Sequence, residues 1–94
     1  MQVATIRLSL FIRQARSLKD KRSVVKGLKD RLHNRFNASV SEIDRHDNIQ
    51  IAVLGVAIAG SDSRHLKSVM DTIENFVRAQ PLAELTSCDK DIIY

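Results

Sequence analysis

The chain has 94 residues, of which 44% are hydrophobic and 28% charged, which allows a modest core in one domain, 1–94, and leaves no room for a second. One cysteine, Cys88, excludes an internal disulfide framework and a multi-cysteine zinc site, and the longest apolar run, residues 51–59, falls far short of the about 20 residues of a membrane span. The net charge is +4, yet residues 12–36 hold nine Lys/Arg against Asp20 and Asp30 while the rest holds six against nine acids, so positive charge is concentrated in a quarter of the chain.

Residues 3–13 alternate. Ala4, Ile6, Leu8, Leu10 and Ile12 share one side; Thr5, Arg7, Ser9, Phe11 and Arg13 share the other. Period two predicts a strand with one buried face. The alternation starts at the first residues, so the N-terminus does not read as a signal peptide, and a soluble cytoplasmic protein with no membrane partner is expected.

Ser17-Leu18-Lys19-Asp20 has the form of a capping box, and Leu18, Val25, Leu28, Leu32 and Phe36 recur at helical spacing. A helix is predicted over 18–35. Gly27 weakens it by about 1 kcal/mol relative to alanine, and no packing reason for it is visible in the sequence. At 100° per residue, Lys29, Arg22, Lys26 and Lys19 lie along one flank with His33; Arg31 and Arg35 lie along the other.

Residues 36–43 read as a second strand, with Ala38 and Val40 inward. Glu42 and Asp44 alternate onto one face, with Arg35 or Arg45 as partners. A polar turn over 44–48 leads into Ile49–Ala59, apolar on both sides and therefore central. Ser61 is the expected cap of a second helix over 62–79, with Leu66, Val69, Met70, Ile73, Phe76 and Val77 inward. Pro81 closes it, and residues 82–94 hold a last strand, placed at an edge because Asp89-Lys90-Asp91 interrupts its apolar pattern.

The order β-α-β-β-α-β specifies an α+β fold of ferredoxin-like type: a four-stranded antiparallel sheet with two helices on one face. The first and third strands, the most apolar, take the centre. The opposite face is then open and half apolar, and a homodimer through that open sheet face is expected.

The chain also resembles the YlxP-like family of small bacterial proteins, a family of unknown function. The residues that carry the likeness are Ala15-Arg16-Ser17-Leu18-Lys19-Asp20-Lys21-Arg22, Arg31-Leu32 with Arg35-Phe36-Asn37, Val40-Ser41-Glu42-Ile43-Asp44 and Ala52-Val53-Leu54-Gly55-Val56. The resemblance implies a ferredoxin-like fold and a gene neighbourhood that often includes translation and ribosome-maturation factors. Members often place an aromatic near the start of the third strand, where this chain has Asn48-Ile49-Gln50.

The functional expectation is a non-enzymatic protein that contacts structured RNA or a ribosomal subunit. Lys19, Arg22, Lys26 and Lys29 would neutralise successive phosphates from the helix flank, with Arg13 and Arg16 at its loop end. No aromatics interleave these cations, so recognition would be by shape and charge. The alternative is an adaptor whose basic helix meets an acidic protein. An enzyme acting on a phosphoester or small anion at Arg13 and Arg16 ranks last, because the loop Arg13-Gln14-Ala15-Arg16 lacks a glycine cradle. His33, His46 and His65 fall in different elements, and no metal or cofactor is expected.

Overall fold

The computed structural model describes residues 1–93. The chain runs β1 (Gln2–Phe11), α1 (Leu18–Phe36), β2 (Ser39–Asp44), β3 (Ile51–Gly60), α2 (Ser63–Arg78) and β4 (Glu84–Ile93). The strands form one sheet in the order β2-β3-β1-β4 with every neighbouring pair antiparallel. This is the ferredoxin-like arrangement, with the two most apolar strands inside.

One side of the sheet is covered. Ala4, Ile6, Leu8 and Leu10 of β1 are buried with Ala52, Leu54, Val56 and Ile58 of β3, and they share one core with Val25, Leu28 and Leu32 of α1 and Leu66, Met70, Ile73 and Val77 of α2. Burial of these side chains is the main force holding both helices to the sheet. At the α2 end of β3, Gly60 gives Leu66 its seat: a Cβ there would stand 2.9 Å from Leu66 Cδ2.

The element boundaries differ from expectation at identifiable places. Phe36 ends α1 rather than starting β2, because Asn37 turns the chain into the left-handed region (φ 51°) and caps the helix. β3 begins at Ile51, not Ile49, because Asn48 Oδ1 accepts from the backbone N–H of Gln50 (2.9 Å) and Ile51 (2.8 Å) and holds the intervening residues in a turn. The cap of α2 is Asp62, which accepts from Arg64 N at 3.1 Å, and Ser61 lies one residue outside. β4 does sit at the edge, but Asp89-Lys90-Asp91 does not interrupt it. Lys90 points to the helix side and meets Asp71 (2.9 Å) and Glu74 (2.6 Å) of α2.

β2 carries a bulge. Glu42 pairs with Leu54 and Asp44 with Val53, so Ile43 is an extra residue between them. Glu42 therefore faces the helices and Asp44 the open side, and the pairing of both with Arg35 or Arg45 does not occur. Glu42 meets Lys21, and Asp44 meets Arg7 at 3.2 Å.

Candidate nucleic-acid interface

The N-terminus of α1 is built as the sequence suggests. Ser17 is extended, and its hydroxyl accepts from Asp20 N at 3.1 Å. Asp20 Oδ2 in turn accepts from Arg16 N at 3.0 Å. Two otherwise unpaired donors are satisfied, and a carboxylate sits at the positive end of the helix.

Contacts fix how α1 is rolled. Arg31 reaches across to Gln80 Oε1 at 2.9 Å, and Arg35 stacks over the Phe76 ring at 5.1 Å. That flank is turned toward α2. Gly27 has a role here: a Cβ on it would stand 3.2 Å from Arg31 Nη1, so its absence leaves a bed for the guanidinium. The flank bearing Lys19, Arg22, Lys26 and Lys29 is turned away from α2. Lys19, Arg22 and Lys26 are exposed and Lys29 is half-buried.

These cations differ in what they already hold. Lys26 donates to Asp30 Oδ2 at 2.9 Å, an i,i+4 pair. That hydrogen bond raises Lys26 above the usual lysine range and holds Asp30 below the usual carboxylate range. Among the described residues, Lys19, Arg22 and Lys29 have no carboxylate within ion-pairing distance.

Arg13 and Arg16 are both exposed and both line a shallow depression of about 840 Å³ with Gln14, Ala15, Ile49 and Gln50. Arg13 also looks the other way. Its guanidinium lies 5.1 Å from the Phe11 ring centroid and 3.8 Å from Glu84. Arg16 continues the flank of α1, whereas Arg13 belongs as much to the sheet edge. No glycine opens the backbone of this loop around an anion.

Lys21 is the residue that sequence reasoning misses: it enters the charge count of residues 12–36 and is given no place on either flank. It is fully buried. Its ammonium donates to the carbonyls of Arg45 (2.8 Å), His46 (3.4 Å) and Ile51 (3.1 Å). Glu42 Oε2 lies 3.0 Å from Nζ but off the hydrogen-bond direction, since the three protons are taken by the carbonyls. His46 Nε2 lies 3.0 Å from the carbonyl of Glu42 on the outside of the same turn. Lys21 thus bolts α1 to the β2–β3 hairpin. The signal was present: Lys21 stands three residues after Leu18, four before Val25 and seven before Leu28, inside the apolar stripe.

Among the described residues, no helix is long and apolar enough to cross a membrane. A structural likeness exists to the solution NMR structure of a de novo designed protein with ferredoxin fold, at TM-score 0.46 and 14% identity over 100% of this chain and 87% of that chain. "Uncharacterized protein YlxP" of Bacillus subtilis (strain 168) is 35% identical over 76 residues, 81% of this chain and 83% of that protein. Residues 3–90 match the family described as "Protein of unknown function (DUF503)". With nearly its whole length matched, the chain belongs to this YlxP-like DUF503 family.

Proposed function

We propose that this protein binds structured RNA, with a ribosomal subunit as the source, through the outward flank of α1. The role is one of docking and not of catalysis. The observation that supports it is the pairing state of the flank. Lys19, Arg22 and Lys29 lie on one side of a rigid helix, clear of α2, with no acidic partner among the described residues. Lys26 adds a fourth charge that Asp30 holds in reserve. Arg16 extends the row at the helix start. From Lys19 to Lys29 the row spans about 15 Å of helix rise, a length suited to several phosphates of one duplex face. Recognition runs through backbone charge and groove shape, since Phe11, the aromatic of β1's outer face, lies under Arg13 and not beside this flank.

The test is sedimentation of the purified protein with ribosomal subunits, together with binding to a duplex RNA across a salt series. Three phosphate contacts predict a loss of about 40-fold in affinity between 50 and 200 mM salt. K19E/R22E/K26E/K29E abolishes co-sedimentation while leaving the fold intact by circular dichroism. D30N releases Lys26, tightens binding and steepens the salt slope by about one contact. A folded quadruple variant that still sediments with subunits overturns the reading. So does capture of an acidic protein that survives nuclease, which would assign the flank to an adaptor.

A further inference from the structure

The side of the sheet away from the helices is a patterned surface. Registry lays it out in rows. One row is Ser39–Ala57–Thr5–Asp91, the next Ser41–Gly55–Arg7–Asp89, the next Asp44–Val53–Ser9–Ser87, each read from β2 through β3 and β1 to β4. The middle of the face is low: Gly55 and Ala57 have little or no side chain, and a depression of about 490 Å³ opens there between Thr5, Arg7, Ser41 and Ile43. Ile43, 46% exposed, leans over Gly55, and Ile93 at the end of β4 is 48% exposed. Hydroxyls and Asp44 line the β2 edge. Carboxylates and Ser87 line the β4 edge.

We propose that this face is the interface between two copies of the chain, packed with the twofold axis along the strands so that β4 of each copy lies over β2 of the other. Two arguments carry it. The first is area. Three strands of ten residues and one of six cover about 570 Å² per copy and about 1,100 Å² in all, just above the roughly 1,000 Å² that a specific interface has to clear.

The second is complementarity of the rows. A twofold along the strands exchanges the two edges of the face. Asp91 then opposes Ser39 of the other copy and Asp89 opposes Ser41, so the two carboxylates of the β4 edge each meet a hydroxyl donor, while Asp44, already paired with Arg7 of its own chain, faces Ser87. The same operation sets Thr5 over the small Ala57, and does so twice, while Ile43 keeps covering Gly55 and Arg7 stays with Asp44 of its own chain. Packing at the angle usual for sandwiches shears the outer contacts but leaves the central row in place. A twofold across the strands stacks β4 on β4, with Asp89 against Asp89 and Arg7 against Arg7, and like charges oppose it. The face is self-complementary in one orientation only. The two α1 flanks then lie on opposite outer surfaces, so this interface and RNA docking do not compete.

Size-exclusion chromatography with light scattering, at micromolar concentration and in nuclease-treated samples, tests it. The wild type is expected at twice the 10.6 kDa of one chain. Ser41 is exposed, so its substitutions leave the fold intact, which circular dichroism checks. S41K, facing Asp89 of the other copy, lowers the dimer dissociation constant, and S41E raises it, each by about three- to tenfold. A monomeric wild type overturns the interface, whatever else the face then binds. Weakening by both substitutions overturns the orientation, because Ser41 would then oppose itself. No change in either removes the face from the contact altogether.

Discussion

Replacing Lys21 by methionine removes one charge from the interior and tests how α1 is held. The aliphatic stem is largely kept, so packing changes little. What is lost is the ammonium at the centre of four oxygens: the carbonyls of Arg45, His46 and Ile51 and the carboxylate of Glu42. The Glu42 side chain is only 15% exposed, so its charge cannot turn to water without moving the hairpin. Removing one partner of a buried pair costs about 3–5 kcal/mol. Even 3 kcal/mol would lower the Tm by about 12–24 °C in a domain of this size. The assay is urea unfolding followed by circular dichroism at neutral pH, run as a cycle with Glu42→Leu and the double variant. The two single losses must not add: the double variant should recover at least about 1 kcal/mol of the K21M loss, because no unpaired carboxylate remains inside. It should not recover fully, since three carbonyls still lack a donor. A K21M loss below about 1 kcal/mol, or additive losses, would refute the account of Lys21 as the bolt between helix and hairpin.

Two glycines should respond with opposite sign. G27A gains up to about 1 kcal/mol of stability from helix propensity, because the atom it meets is the mobile end of Arg31. G60A loses about 1–3 kcal/mol, because its Cβ would press on the buried Leu66 at both Cγ (3.0 Å) and Cδ2 (2.9 Å). Paired thermal melts read both. Glu74 is held below the ordinary carboxylate range, first by the hydrogen bond from Lys90 and then by that from Arg78. A depressed folded-state value means stability that is fully present above the ordinary glutamate value of 4.5 and is lost as pH falls through the depressed one. In carbon-detected NMR titration, K90A should move Glu74 back up and flatten the acid limb of the stability curve; an unchanged Glu74 midpoint would contradict the assignment.

The fold was readable because its periods are unambiguous. Ala4 to Leu10 alternate without a break, and Leu66, Met70, Ile73 and Val77 recur at helical spacing, so each element has one face to bury. The basic flank was readable for the same reason: Lys19, Arg22, Lys26 and Lys29 share a side by spacing alone. Which of them is occupied was not, since the Lys26–Asp30 contact depends on rotamers. Lys21 was missed because a lysine in a run of cations is read as solvated, although its place among Leu18, Val25 and Leu28 argued otherwise. Asp62 displaced Ser61 as a cap because both can accept from the helix start and the choice rests on backbone angles at one residue. The separation of Glu42 from Asp44 was invisible to a strict count of two, because a bulge resets that count.

That extra residue has a counterintuitive consequence for length variation in β2. Parity along a strand normally makes any single deletion ruinous, since everything beyond it changes sides. Ile43 is the exception. Excising it would iron the strand flat with Glu42 still turned to Lys21 and Asp44 still opposite Val53, and only the aliphatic cover over Gly55 would go. Excising Ser41 instead would invert one of the two carboxylates and strand the interior ammonium. Shortened relatives of this chain should therefore close the gap at the bulge and nowhere else in the strand.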